Sequence, residues 1–315
     1  MHLIESALGQ FPVLELSDPD SGAFVSALPT RGGTVHRLGL VAPDGNVREV
    51  MMPMRTEREV ERHRWSKGAM LAPWPNRIRE ARYAFEGTTY QPVKNFKPQG
   101  GHAIHGTVCF ETFRLLGRKA TDPSFRLSLD SKGWTGYPFP VRITFGYHLG
   151  HDGLTLEFSL ENRGKSRIPA GLGWHPYFRL GDSVKPCLLT VPDGKKLSMT
   201  ERAVPDGRKA PLGRFAKPEA IGEDFLDACL ELAGKGKIQT SRLVDPSSGL
   251  ALEVWQETGP GKFNYLQLFT HPLRHCLALE PMTCAPDAFN NGMGLAVLEP
   301  GETLSASCGV RLASA

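Results

Sequence analysis

No run of uncharged apolar residues in this chain is long enough to cross a bilayer. Its start, MHLIESALGQFPVLEL, lacks the basic segment and unbroken apolar stretch of a secretory leader. Insertion into a membrane and export are therefore not expected. The six cysteines, Cys109, Cys187, Cys229, Cys276, Cys284 and Cys308, include no C-x-x-C pair, which leaves no zinc or redox motif. Several lie in apolar, strand-like runs, where a free thiol packs as a small hydrophobe. Read as reduced, they favour a cytoplasmic location. Phosphate loops, G-x-S-x-G, H-E-x-x-H and a dinucleotide fingerprint are missing as well. Positive charge is not concentrated: 37 Lys and Arg against 33 Asp and Glu leave +4 with the histidines neutral. The densest basic stretch, residues 55–82, is interleaved with Glu57, Glu59, Glu61 and Glu80 and reads as a solvated face of mixed sign. Neither nucleic acid nor a membrane is an expected partner, because affinity for phosphates rests on clustered Lys and Arg. Helical signal is scarce. Residues 55–65 suit a short helix or polar loop, and residues 223–232 a helical turn or two.

What is present is alternation. Leu154-Thr155-Leu156-Glu157-Phe158-Ser159-Leu160-Glu161 puts apolar side chains on one face, as do Val141, Ile143, Phe145 and Tyr147 upstream. His151-Asp152-Gly153 between them supplies turn chemistry, so residues 141–161 read as a β-hairpin. Residues 124–131 alternate too, with Phe125, Leu127 and Leu129 inward and Arg126, Ser128 and Asp130 outward. Tyr83-Ala84-Phe85, Glu86-Gly87 and Thr88-Thr89-Tyr90 form another tight hairpin, and residues 303–312 close the chain as a strand. The 34 glycines and 25 prolines suit many strands joined by many turns. Residues 181–222, rich in Pro, Gly, Lys and Asp, read as long connections with short strands. The expected fold is all-β, a large antiparallel β-sandwich spanning residues 1–315 as a single domain. Two β domains meeting within residues 181–222 are the alternative.

Few residues carry chemistry, and each has a plain alternative. Glu280 follows the apolar run Cys276-Leu277-Ala278-Leu279, where an unpaired charge is costly to bury. Pro281 is expected to end the strand there. Partial burial would raise the carboxyl toward neutrality and make it a usable base; the alternative is a strand-end glutamate in water. His175 sits in Gly171-Leu172-Gly173-Trp174-His175-Pro176-Tyr177-Phe178, a titratable ring among aromatic surfaces that suit the C–H faces of a sugar. Alone, a satisfied core histidine explains it as well. Asn76-Arg77 follows Ala72-Pro73-Trp74-Pro75, a rigid loop that would present a guanidinium with fixed donors, unless Arg77 is a surface ion-pair partner. His102 and His105 are two residues apart with no further ligands nearby, so a metal site is not expected; His105 suits a hydrogen bond to a substrate hydroxyl. Asp227, in Phe225-Leu226-Asp227-Ala228-Cys229, reads equally as a helix cap.

In order along the chain, these segments resemble the aldose 1-epimerase (galactose mutarotase) family. Asn76-Arg77-Ile78 and the hairpin at 83–90 resemble its Asn-Arg-Ile segment and following hairpin, and Ile104-His105-Gly106 its Leu-His-Gly-Gly, with Thr107 in place of the second glycine. Trp174-His175-Pro176-Tyr177-Phe178-Arg179-Leu180 is the most specific match, to His-Pro-Tyr-Phe-x-Leu. Leu226-Asp227 through Leu230 resembles Leu-Asp-x-x-Phe without its aromatic. Leu279-Glu280-Pro281 through Pro286-Asp287-Ala288 resembles the closing motif, with Pro-Met-Thr after the glutamate. The resemblance implies a galactose mutarotase-like supersandwich with a sugar cleft. It also implies a glutamate base at Glu280, a histidine acid at His175, and sugar contacts at Arg77, Asn76, His105 and Asp227.

No metal or organic cofactor is implied. The expected partner is a small-molecule sugar, bound by a monomer or homodimer. The implied reaction is interconversion of α and β anomers through the open-chain aldehyde, for which a carboxylate and an imidazolium are suited. Alternatives are an epimerase of a phosphorylated or otherwise modified hexose, for which Arg179 is a candidate extra cation, and a carbohydrate-binding protein without turnover.

Overall fold

A β-strand sends alternate side chains to opposite faces, and this sequence repeats that alternation often enough to build three large antiparallel sheets. The computed structural model describes residues 1–117, 122–234 and 236–315. The first sheet is a five-stranded meander: His2–Leu8, Phe11–Ser17, Phe24–Leu28, Thr34–Val41 and Val47–Glu49. The second has nine strands, and its centre runs Val141–Gly150, Gly153–Asn162, Thr303–Ser314 and Leu250–Glu257. The third has eight. Its path runs Pro205–Pro211, Gly194–Met199, Asp227–Leu232, Tyr265–Thr270, Leu277–Met282, Gly173–His175 and Ala69–Leu71, with Tyr177–Phe178 also paired to Leu277–Met282. The fold is thus all-β, with strands from both chain ends.

Side chains from all three sheets meet in one hydrophobic cluster. Leu16 and Leu38 come from the meander, Phe145, Phe158, Val254 and Val310 from the nine-stranded sheet, and Leu230, Leu268 and Leu279 from the eight-stranded one. Phe158 packs its ring edge-to-face against Phe145 at 5.4 Å and against Phe263 at 5.3 Å, binding the nine-stranded sheet to the segment that leads into Tyr265–Thr270.

The hairpin of residues 141–161 forms with Val141 opposite Asn162 and Gly150 opposite Gly153. The short one turns through Glu86 and Gly87, at φ 47° and 78°, the left-handed pair a two-residue hairpin loop requires. Residues 55–65 yield the helix Glu57–Arg62, started by a capping box between Thr56 and Glu59. Two expectations fail. Residues 223–232 are not helical: Asp227–Leu232 is a central strand, because Leu230 and Leu232 bury together in the main cluster when the period is two. Ser128 is buried rather than outward, since strands flank it on both sides and Thr144 Oγ1 donates to its hydroxyl at 3.1 Å.

Among the described residues no helix is long and apolar enough to cross a membrane. All six cysteines are free thiols. Phe158→Ala is expected to remove about 3–5 kcal/mol of stability by opening a cavity between sheets, read as a lower urea midpoint with an unchanged slope.

Candidate active site

Period two places the chemistry on one face of the eight-stranded sheet. In Leu277–Met282 the side chains of Leu277 and Leu279 enter the main core, so Ala278, Glu280 and Met282 take the other face. In Tyr265–Thr270, Leu266 and Leu268 go to the core and Gln267 to the same outer face as Glu280, its direct cross-strand partner. On the other side, Gly173 opposite Met282 and Tyr177 opposite Ala278 bracket a register that sets His175 facing Glu280, while Trp174 turns into the core. His175 Nε2 lies 3.4 Å from Glu280 Oε1. Residues distant in sequence are thus neighbours by register alone. Asp227, which opens its strand opposite Phe269, stands exposed at the cleft mouth and accepts a 2.8 Å hydrogen bond from Gln267 Nε2.

These residues floor a cleft of about 600 Å³, a volume suited to a small organic ligand. Its opposite wall is made of loops. Trp74 anchors the first of them between Tyr137 and Phe289, and Asn76 follows in the left-handed region at φ 51°, its carbonyl accepting from His105 N at 2.6 Å. Arg77 then enters a two-residue strand paired with Ala103–Ile104. Arg77 is only 8% exposed, with Nε donating to Asn76 Oδ1 at 3.1 Å and Nη1 to Gln99 Oε1 at 2.7 Å. The buried Asp287 braces this strand from behind: its N–H donates to the Arg77 carbonyl, and its carboxylate accepts from Arg79 N. Gly106, at φ 73°, brings the next loop so close that a Cβ there would lie 1.9 Å from the Ala72 carbonyl oxygen. This contact seats His105 in the cleft with its ring 4.9 Å from that of His175, edge to face.

Burial sets the electrostatics. Glu280 is 2% exposed, and burial together with the Asp227 carboxylate raises its carboxyl well above the ordinary range, against the pull of Arg77. Burial pushes His175 down to about 3. Burial thus favours the carboxyl as the site of the pair's proton and a neutral imidazole. Glu280 Oε2, His175 Nδ1 and His105 Nδ1 are buried without a hydrogen-bond partner among the described residues. Burial also lowers Arg77, while the Asp227 and Asp287 carboxylates sustain its charge.

Glu280, His175, Arg77, Asn76, His105 and Asp227 all line this one cleft. Two expectations about them need correction. Pro281 does not end the strand: Leu277–Met282 continues past it, with Pro281 opposite Leu266, and its missing N–H is tolerated where the partner on the other side is itself broken at Pro176. Asp227 caps no helix. Arg179 lies outside the cleft lining, 4.0 Å from Glu49, and His102 is a buried acceptor for Glu80 N. Sequence reasoning missed Gln267, although it is the lone polar residue in Tyr265-Leu266-Gln267-Leu268-Phe269, and that isolation was its signal. Gln99 gave none, because a loop delivers it to Arg77.

The chain is an antiparallel β-sandwich whose small-ligand cleft has a buried carboxyl–imidazole pair on its floor and an arginine on its loop wall. Residues 13–311 match the family model described as aldose 1-epimerase, and the chain belongs to that family. It is 29% identical over 247 residues to the uncharacterized protein YihR of Escherichia coli K12, covering 75% of each chain. It is 25% identical over 217 residues to an aldose 1-epimerase of the same strain, covering 66% of this chain and 61% of that one. In structure it is similar to a galactose mutarotase-like protein from Clostridium acetobutylicum, with a TM-score of 0.85 at 17% identity over 99% of this chain and 98% of that one.

The buried histidines predict an acid-sensitive fold. Burial holds His175 at about 3 and both His63 and His36 at about 4, below the usual imidazole value of roughly 6.5. The folded state then binds fewer protons than the unfolded chain, so their contribution to stability is full above about pH 6.5 and is lost as pH falls toward about 4. Each should contribute roughly 1 kcal/mol per pH unit in that window. Glu280 acts in the opposite sense, costing stability as pH rises toward its elevated value. Urea melts at pH 7 and pH 5 should show the loss, with a shallower slope in His175→Asn; an unchanged slope would mean that His175 is already charged in the folded chain.

Proposed function

We propose that this protein interconverts the α and β anomers of an aldose by acid–base ring opening and closure. The observation that carries the reading is the meeting of Glu280 and His175 at 3.4 Å on the floor of a saccharide-sized cleft. Glu280 takes the proton of the anomeric hydroxyl. The C1–O5 bond breaks with its electron pair going to O5, and His175 protonates that oxygen. The C1–C2 bond rotates in the open aldehyde. Closure on the other face returns the O5 proton to His175 and the Glu280 proton to O1, so the pair ends as it began.

The pair holds one proton throughout. Burial places it on the carboxyl when the cleft is empty. Sugar hydroxyls solvate Glu280 Oε2 and stabilise the carboxylate, so that the proton shifts across the short contact to the imidazole. Arg77 orients the ring and steadies negative charge on oxygen in the transition state. Asn76, His105, Gln267 and Asp227 are placed to partner the remaining hydroxyls. A freely diffusing monosaccharide needs no further partner for this chemistry.

Polarimetry on a freshly dissolved pure anomer tests the reading. Glu280→Gln and His175→Asn are each expected to slow equilibration by at least about 10²-fold. Arg77→Ala should raise KM as well as lower kcat, and wild-type kinetics in that variant would place Arg77 outside the productive complex. Sugar binding with no acceleration by the parent protein would make it a carbohydrate-binding protein instead.

A further inference from the structure

We propose that Gln99 is a positioning residue of this site: its amide oxygen holds the Arg77 guanidinium so that Nη2 is left, with its charge uncancelled, for an oxygen of the bound sugar. This rests on the proposed function and adds the residue that sets the state of its arginine.

A guanidinium carries five N–H donors in a rigid plane. The protein engages Arg77 at two of its three nitrogens: Nε donates to Asn76 Oδ1 at 3.1 Å and Nη1 to Gln99 Oε1 at 2.7 Å. The Phe96 ring lies against the same group, its centre 5.6 Å from Cζ. Among the described residues Nη2 has no hydrogen-bond partner, and Arg77 lines the cleft together with Glu280 and Gln267. Both acceptors are neutral amides. Other arginines differ: Arg37 pairs with Glu49 at 2.8 Å, Arg142 with Asp130 at 2.7 Å, and Arg202 with Glu80. Arg77 forms no ion pair among the described residues, and Asp227 and Asp287 act on it without touching it. A carboxylate in place of either amide would grip the fork and cancel its charge. An amide fixes the plane and leaves the charge to the ligand.

The backbone around Gln99 is shaped for this contact. Gln99, Gly100 and Gly101 follow one another at positive φ, 57°, 101° and 78°. Glycine reaches that region freely and glutamine does not. The Gln99 side chain nevertheless stands there, and its one hydrogen bond among the described residues is to Arg77. Asn76, the other acceptor, is likewise a non-glycine residue at positive φ, 51°. The loop that carries Gln99 is closed at its base. Phe96 N donates to the His102 carbonyl at 3.1 Å, and His102 N to that of Phe96 at 2.7 Å. Asn95 exchanges two hydrogen bonds with Ile104, which is paired in turn with Arg77. Gln99 thus meets Arg77 from a fixed direction.

Exchange NMR at anomeric equilibrium on glucose, galactose, xylose and glucose 6-phosphate first selects the sugar that the parent protein turns over fastest. Gln99→Met fills the same space on the same backbone without a strong acceptor, and is expected to raise KM by about tenfold with a smaller effect on kcat. In an Arg77→Ala background the same change should alter kcat/KM by less than about twofold, because Gln99 acts through Arg77. Gln99→Glu keeps the oxygen and adds a charge. It should lower kcat/KM by about tenfold and move the acid limb of its pH profile up by about one unit, since a paired Arg77 no longer holds down the Glu280 carboxyl. The other groups around Arg77, the Asp227 and Asp287 carboxylates and the His102 and His105 rings, are the same in every variant. The limb should stay in place in Gln99→Met, and urea midpoints should match the parent's because residue 99 is exposed. A parent-like KM in Gln99→Met, an equal loss in the Arg77→Ala background, or an unmoved limb in Gln99→Glu would overturn this inference and leave the proposed function standing. A parent protein that accelerates none of the four sugars would remove both.

Discussion

The site depends on a carboxyl and an imidazole, both buried, facing each other across two antiparallel strands. Isolating charges there is costly, and an ion pair repays its desolvation only when its remaining atoms are also satisfied. Here they are not: one oxygen of Glu280 and one nitrogen of His175 have no partner. The pair therefore rests in its neutral form.

Everything around the pair holds this contact in place. The strands carrying Glu280 and His175 are fixed from beneath by Leu277, Leu279 and Trp174 in the main cluster, which leaves little freedom for the register to slip. A slip of one residue would turn both groups into the core. The loop wall is less regular but equally constrained, through Asp287 behind Arg77, Gly106 against Ala72, and Asn95, which exchanges two hydrogen bonds with Ile104. The sheet supplies the reacting pair and the loops supply the groups that address the ligand, a division usual where function is mounted on a rigid scaffold.

Charge in the cleft is graded by depth. At the floor, burial suppresses ionisation of Glu280 and His175. Arg77, further up, keeps its charge with the help of Asp227 and Asp287. At the rim Arg62 and Arg64 stand in water. Proton transfer works best where water is excluded.

By itself the sequence determined the class of fold and singled out the residues that the structure gathers in one cleft. Alternation in residues 124–131, 141–161 and 303–312 leaves only strands as a way to bury those apolar faces. Glu280 and His175 were visible as polar residues out of place among apolar and aromatic neighbours. The strand Asp227–Leu232 was misread because six residues bear too weak a local signal to show which period their partners impose. Gln267 could be located only with the sheet in hand, and Gln99 only once its loop had met Arg77. Tertiary structure alone decided which residues face each other, since register and loop closure depend on contacts between segments far apart in sequence, and it decided the protonation of the pair, because burial is a property of the assembled sheets.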